Sequence, residues 1–492
     1  MPVFSLPSKY GIGDFGTGAY NFIDFLASAN QRVWQILPLA QTGYGNSPYS
    51  SVSSSMLNPY FISPELLYKD GLLKKEELNF TKNDGEYVDY EFLYSVRYPM
   101  LRSAFARFDK TDKEFTRFVC SNVATDYALF MTLKNATGQK HFYEWEDKYK
   151  YRDKSALAKL KRDCKDEILF WQFVQFKAFS QWRALKNYAN LKGVEIMGDL
   201  PLYVALDSVD VWREPKAFKL TDDFKPKKVA GVPPDYFCAD GQLWGNPVYD
   251  YAYLQENGFS FWVKRVVWAL KLYDYVRIDH FRGLDRYYEI GAEEETAKNG
   301  EWVDVPSSEL FSAIFSKVDR CKIIAEDLGI IDDSVRELMK RLDVPGMKIL
   351  SFAFNGDNAN LYLPENIGYN SICYTGTHDN DTLLGLISSL NDWDRNNFIN
   401  GVEHSLKKAG IKGKVDVEKD LAESVIKLGF NSASKLFVMP LQDVMLSKSE
   451  KRINTPGTVS EKNWAIRFTN ADFKGLAKKL KTLTLRYKRT EI

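Results

Sequence analysis

The chain has 492 residues, of which 45% are hydrophobic and 27% charged. That length exceeds one ordinary compact domain and suits a large α/β barrel with insertions, and the composition argues against wholesale disorder. Its 66 basic and 65 acidic side chains leave a formal charge of +1, which gives no electrostatic reason to expect nucleic acid or an anionic membrane as partner.

The opening residues, MPVFSLPSKYGIGDFG, lack the basic stretch and long apolar run of a signal peptide. No run reaches the length of about 18 apolar residues that a membrane-spanning helix needs. Residues 3–6 are expected to form a first strand, and VWQIL at 33–37 a second. From 63 to 191 the pattern is charged and helical, which predicts a helical insertion between strands two and three. Residues 194–197 then lead into Gly198 and Asp199, 275–278 into Asp279, and 322–325 into Glu326 and Asp327. Further apolar runs follow at 347–354, 371–375 and 436–439. Short runs rich in Val, Ile and Leu are the signature of parallel strands covered on both faces.

Amphipathic helical stretches lie between several of these runs, at 19–29, 259–272, 307–318, 334–342 and 382–389. Strand and helix in alternation imply a parallel sheet. A count of eight predicts a (β/α)8 TIM barrel, spanning the chain as one catalytic unit, rather than an open sheet. The segment 207–251 is rich in Pro, Gly and aromatics and is expected to form an irregular, lid-like loop over the barrel mouth. The tail, 463–492, reads as a closing helical segment. Five scattered cysteines, Cys120, Cys164, Cys238, Cys321 and Cys373, form no CxxC or Cys-His cluster. They are read as reduced thiols of a cytoplasmic protein, with neither a disulfide framework nor structural zinc.

In such a barrel the chemistry sits at the C-terminal ends of the strands. Three acids fall at such ends: Asp279 after YVRI, Glu326 after KIIA, and Asp379 after CYTGTH. Glycosyl transfer with retention needs one carboxylate to attack the anomeric carbon and a second carboxyl to donate and later accept a proton, the two about 5–5.5 Å apart. A third carboxylate can grip sugar hydroxyls and steady charge on the ring. Any one acid alone is as well explained as a helix cap or a partner of an arginine. The surroundings shift that balance. Arg277 stands two residues before Asp279, hence on the same strand face, and is expected to keep it ionised. Of the four histidines, His280 and His378 adjoin these acids. The 11 Trp and 28 Tyr suit a surface that stacks on sugar rings as well as a core. No carboxylate or histidine cluster has metal-ligand spacing, and no phosphate-binding glycine loop follows a predicted strand, so no metal and no cofactor are expected.

VRIDHFRG (276–283), AEDLG (325–329) and GTHDNDT (376–382) resemble the signature segments of the amylomaltases, the 4-α-glucanotransferases of the α-amylase clan. SLPSKYGIGDFG (5–16), WQILPL (34–39), GYGNSPY (43–49), NPYFI (58–62), GDLPLYVALDSVDVW (198–212), GVPPDYF (231–237), GQLWGNPVYD (241–250), NTPGT (454–458) and NW (463–464) extend the resemblance in the family's order over nearly the whole chain. It implies Asp279 as nucleophile, Glu326 as general acid/base and Asp379 as transition-state stabiliser. Arg277 and His378 would support the reacting subsite and Asp199 would contact sugar. Ser47, Tyr49, Gln242, Trp244, Asn454 and Gly457 fall in segments that line the glucan groove. For Tyr49 and Trp244 plain core packing is the competing reading.

The implied activity is transfer of α-1,4-glucan segments to an acceptor glucan or glucose. A stiff lid that excludes water would favour transfer over hydrolysis. Residue physics alone stops at a retaining glycosidase-like site, which leaves a hydrolase of the same clan open; an inactive glucan-binding barrel would be expected to lack one of the acids. Two features depart from the family pattern. Asn46 stands where an acid is expected, and the chain begins close to SLPS, so either the start is trimmed or the first strand is short and the barrel seam weak.

Overall fold

A computed structural model describes residues 1–490 apart from 44, 81, 82, 84, 235–238 and 330. Its strands are β1 (Val33–Gln35), β2 (Glu195–Leu200), β3 (Lys228–Val232), β4 (Gln242–Pro247), β5 (Tyr275–Ile278), β6 (Arg286–Gly291), β7 (Glu301–Asp304), β8 (Ile323–Ala325), β9 (Gly346–Ile349), β10 (Ser371–Tyr374) and β11 (Leu436–Val438). Two parallel arcs, β1-β2-β5-β8 and β9-β10-β11, form the barrel. The Ala325 amide, donating to the Pro345 carbonyl at 2.9 Å, stitches one arc to the other between β8 and β9.

Side-chain alternation fills the interior. Met197, Ile324, Met347, Ile349, Ile372 and Tyr374 pack there, with Val33, Tyr275, Leu436 and Val438 at the margin. On the outer side of β2, Gly198 faces the ring of Tyr273, where a Cβ would lie about 2.1 Å from the ring carbons. The helix Ser260–Leu272 thus beds closely on the sheet.

Residues 3–6 are not a strand. Val3–Ser5 is a 3-10 turn, closed by Ser5 and Leu6 amides donating to the Pro2 and Val3 carbonyls. The apolar run at 3–6 reflects burial of Val3, Phe4 and Leu6, which periodicity alone cannot distinguish from a strand. At the seam Met1 donates its α-amino group to the Gln35 carbonyl at 3.3 Å, and Trp34 Nε1 donates to the Met1 carbonyl at 2.8 Å. A cleft lined by Met1, Val33, Trp34, Leu436 and Val438 separates β1 from β11.

Between β1 and β2 the chain runs through a series of helices ending in Lys165–Leu191. That helix is tied down by buried amides: Gln175 bonds both the amide and the carbonyl of Leu57, and Gln181 accepts from the Ser63 amide. The segment after β2 is more ordered than an irregular loop. Its β3 and β4 join β6 and β7 in an antiparallel sheet of order β4-β3-β6-β7, with residues 235–238, including Cys238 and most of PDYF, outside the described part. The helices Asp392–Ala409 and Glu418–Asn431, which pack against one another between β10 and β11, were not anticipated. The tail contributes the helix Phe473–Arg486. No helix among the described residues is long and apolar enough to cross a membrane.

Candidate active site

Strand register places the first group of polar side chains. Asp199 on β2 is level with Arg277 on β5, and Arg277 is level with Ile324 on β8. Ile324 and Met197 point into the barrel, so the period of two sends Asp199, Arg277, Asp279 and Glu326 inward as well. Arg277 is buried and grips Asp199 with two bonds, Nε to Oδ1 at 2.9 Å and Nη2 to Oδ2 at 2.6 Å. The same Nη2 reaches Asp279 Oδ1 at 3.2 Å and the Tyr49 hydroxyl at 3.0 Å. Tyr49 in turn donates to Asp199 Oδ2 at 2.5 Å. Tyr49 packs against the main apolar core and at the same time bonds Asp199 and Arg277 through its hydroxyl.

The turn after β5 builds the seat of Glu326. His280 adopts a left-handed backbone, φ 48°, a conformation that costs a non-glycine residue about 1 kcal/mol or more. That bend aims its amide at Glu326 Oε2, 2.6 Å away, while the Leu328 amide donates to Oε1 at 2.9 Å. Both oxygens are thereby oriented by main chain. Trp244 on β4 meets His280 edge to face at 4.9 Å, and its Nε1 donates to Gln242 Oε1 at 3.1 Å. Leu243 and Trp244 are solvent-exposed, which excludes core packing for Trp244.

Asp379 is held differently. It lies on the loop between β10 and the helix Leu383–Ser389, and its side chain is 46% exposed. Asn454 Nδ2 donates to its Oδ1 at 2.6 Å, Arg452 Nη2 to its main-chain carbonyl at 2.6 Å, and His378 Nε2 lies 3.4 Å from Oδ2. His378 stacks on Tyr49 with centroids 5.3 Å apart, and Trp464 closes the cluster 5.6 Å from His378 and 5.9 Å from Tyr49.

Ser47 Oγ accepts from the Tyr49 amide at 3.3 Å and so shapes the loop that carries Tyr49. Gly457 sits in an exposed turn at φ +72°, where a side chain would be strained. The described contacts join neither residue to the carboxylates. Asn46, at φ 57°, occupies a left-handed position that asparagine tolerates well.

Two carboxylates, Asp199 and Asp279, thus share one guanidinium. Burial drives the Glu326 carboxyl up to about 7, opposed by Arg277 and by the two amides. Burial pushes Asp279 well above the ordinary carboxylate range; Arg277 opposes this, and the charges of Asp199, Glu326 and Asp379 add to it. The expectation that Arg277 beside Asp279 keeps it ionised is therefore corrected: Arg277 acts in that direction, but burial outweighs it. The guanidinium is spent chiefly on Asp199, and its single longer contact to Asp279 does not offset burial among like charges. The Glu326 charge is among those that raise Asp279, so ionisation of Glu326 makes ionisation of Asp279 harder. Burial holds His280 down at about 4 and lowers His378, so both imidazoles are neutral hydrogen-bonding groups at pH 7.

A barrel with these acids on its rim is the scaffold of α-glucan-processing enzymes, and comparison with known proteins decides the family. Residues 1–472 match the model of glycoside hydrolase family 77, 4-alpha-glucanotransferase. The chain belongs to this family. It is 42% identical to the 4-alpha-glucanotransferase of Clostridium butyricum over 100% of both chains. It is 36% identical to the chloroplastic/amyloplastic 4-alpha-glucanotransferase of Solanum tuberosum, over 99% of this chain and 85% of that one. Among solved structures it is similar to the amylomaltase of Streptococcus agalactiae in complex with acarbose: TM-score 0.93, 36% identity, 99% of this chain and 98% of that one. The chain is accordingly a (β/α)8-type barrel enzyme that transfers α-1,4-glucan segments.

Of the residues singled out from the sequence, Asp199, Arg277, Asp279 and Tyr49 are joined by direct bonds. Glu326 is bonded to the His280 and Leu328 amides, and Asp379 to Asn454 and Arg452 with His378 beside it. Sequence reasoning missed Arg452 and the structural weight of Trp464 and His280. Only the adjacency of His280 to Asp279, and the NW pair at 463–464, hinted at the latter two.

Proposed function

We propose that the transfer proceeds by double displacement, with Asp279 as nucleophile, Glu326 as acid/base and Asp379 as transition-state stabiliser. The observation that carries this reading is the seat of Glu326, whose two oxygens accept from the His280 and Leu328 amides. His280 directly follows Asp279, whose own carboxylate touches the Arg277 guanidinium. In the reactive state Glu326 carries a proton. An oxygen of Asp279 attacks the anomeric carbon as the glycosidic bond breaks, and Glu326 gives its proton to the departing oxygen. The glucan beyond the cleaved bond leaves, and a glycosyl ester of Asp279 remains. The now ionised Glu326 takes the proton of an incoming sugar hydroxyl, whose oxygen attacks the same carbon and releases Asp279. Two inversions restore the α configuration.

Asp379, oriented by Asn454, would accept bonds from hydroxyls of the distorted ring. Arg277 with Asp199 and Tyr49 would form the rigid floor, and His378 a neutral donor beside it. The exposed Leu243 and Trp244 on β4 offer an apolar platform for the acceptor sugar, and the segment 207–251 that carries them would act as the lid. Ser47 and Gly457 would shape the groove walls. Maltooligosaccharides serve as donors and acceptors in this reading, glucose is the smallest acceptor, and the cytoplasm is the site of action.

The test is incubation of the pure protein with maltotriose, following products and total reducing ends. Glucose together with a ladder of longer maltooligosaccharides, at constant reducing ends, is expected. Rising reducing ends without longer products would replace transfer by hydrolysis.

A further inference from the structure

Asp443 is buried in the short helix Leu441–Val444 that follows β11, and it touches none of the residues assigned above to sugar or to the reacting atoms. Its two carboxylate oxygens are nonetheless both committed. Oδ2 accepts from Thr375 Oγ1 at 2.6 Å, and Oδ1 accepts from the Leu383 amide at 2.7 Å. Thr375 is the first residue beyond β10, and Leu383 opens the next helix. The segment between those anchors, 376–382, is the loop that carries His378 and Asp379.

Within the loop the bonds are local: Asn380 Oδ1 accepts from the Thr377 amide and hydroxyl, and Thr382 Oγ1 accepts from the Gly385 amide. These fix the loop's shape but not its tilt relative to the barrel. The outer face is held by Arg452 and Asn454. Ser449 Oγ ties the loop's middle by donating to Asp381 Oδ2 at 2.7 Å, and the Asp443 carboxylate joins its two ends.

We infer that Asp443 is a positioning residue for glucan transfer, bracketing both ends of loop 376–382 so that Asp379 and His378 meet the sugar ring in register. This rests on the role proposed above for Asp379. A carboxylate suits the task because both oxygens accept at once. An amide can accept at only one, forcing the Thr375 hydroxyl to turn round and become the acceptor. The expected order is therefore native, then Asp443→Asn, then Asp443→Ala.

The experiment measures kcat and KM with maltotriose and with α-maltosyl fluoride as an activated donor, affinity for acarbose by calorimetry, and Tm. It covers Asp443→Ala, Asp443→Asn, Thr375→Val, Asp379→Asn, and the double variant of Asp379→Asn with Asp443→Ala. Asp443→Ala is expected to lower kcat about 100-fold with KM changed less than about two-fold, and to weaken acarbose in step, because the loss falls on the transition state. Asp443→Asn should recover about ten-fold of that, and Thr375→Val should lose about ten-fold. On the Asp379→Asn background the further loss should be under about two-fold, since both changes remove one interaction. A lowered Tm with unchanged kcat, or losses that multiply in the double variant, overturns the inference. If Asp443→Ala does not fold, Asp443→Asn and Thr375→Val carry the same test. Full activity of Asp379→Asn by itself would sink the role of Asp379, an outcome distinct from multiplicative losses on an inactive Asp379→Asn background.

Discussion

The two halves of the site are held by different means. Asp199, Arg277, Asp279 and Glu326 stand on adjacent parallel strands, and register alone brings them together. Their supports are main-chain bonds and one doubly bonded guanidinium near the strand ends, with the Tyr49 hydroxyl reaching in from the loop after β1. Asp379 stands on a loop, and its supports, Asn454, Arg452 and at one remove Asp443, come from segments more than 60 residues away. Exposure is graded across the two halves: the side chains of Asp199 and Arg277 are 0% and 2% exposed, that of Asp279 28% and that of Asp379 46%. Covalent chemistry and proton transfer thus sit on the rigid half, where a misplacement of about 1 Å is costly. The half that grips hydroxyls is set by side-chain bonds that a remote substitution can undo.

The largest effects should fall on the rigid half. Asp279→Asn is expected to lower kcat about 10⁵-fold, as removal of a covalent nucleophile does. Far-ultraviolet circular dichroism should show the fold unaltered. Burst kinetics with α-maltosyl fluoride should lose the glycosyl-enzyme phase, and a persisting burst would place the nucleophile elsewhere. Glu326→Gln should cost about 10³-fold with maltotriose, within the range of general acid/base catalysis. Much less should be lost with the fluoride donor, whose leaving group needs no proton. Equal losses with both donors would deny Glu326 the acid's role.

The loop-borne half should respond more gently. Asn454→Ala removes the one donor that fixes Asp379 Oδ1, and a loss of about 100-fold in kcat is expected, the scale of a single oriented hydrogen bond in a transition state. The contrast with the rigid half is sharpened by salt and urea. Sub-denaturing urea should raise the mobility of loop 376–382, read by hydrogen exchange of its amides, before it affects β5 and β8. Simultaneous loss of protection in both would show that they form one cooperative unit.

That division also separates what could be read from the sequence. Asp279 and Glu326 were legible because each closes a short apolar run, and the alternation of a strand dictates that Arg277, two residues earlier, shares its face. The helices whose polar and apolar residues recur with helical period were legible for the same reason. The partners of Asp379 were not, because no local pattern connects residue 379 with 454, 452 or 443; only folding brings them together. Residues 3–6 misled because burial, and not extended pairing, is what an apolar run of four reports. The segment 207–251 looked irregular because its Pro and Gly content masks β3 and β4, and because β6, which pairs with β3, lies on the far side of β5 in the chain. Asp279 shows the limit of reasoning from a neighbouring charge. Arg277 is where the sequence puts it, but the bonds it makes to Asp199 are visible only in three dimensions.

The weakest expected effect bears on stability and discriminates between the two kinds of support. Glu326 titrates near 7 in the folded protein because burial outweighs its amide donors, whereas an unfolded chain would release that proton at about 4.3. A carboxyl with a raised folded value binds more protons folded than unfolded over the interval between the two. Its contribution to stability is therefore fully present below about 4 and is lost as pH rises through about 7. Glu326→Gln, which cannot ionise, should unfold later than the native protein at pH 8, by at most about 4 kcal/mol, and the difference should vanish by pH 4. Because the Glu326 charge acts on Asp279, Asp279→Asn should reduce that pH-dependent difference in the double variant. Chemical denaturation at the two pH values reads both effects. An unchanged difference from pH 4 to pH 8 would mean that the strand-borne carboxyls are solvated like ordinary ones, and that the contrast between a buried covalent half and an open gripping half is one of geometry without an electrostatic counterpart.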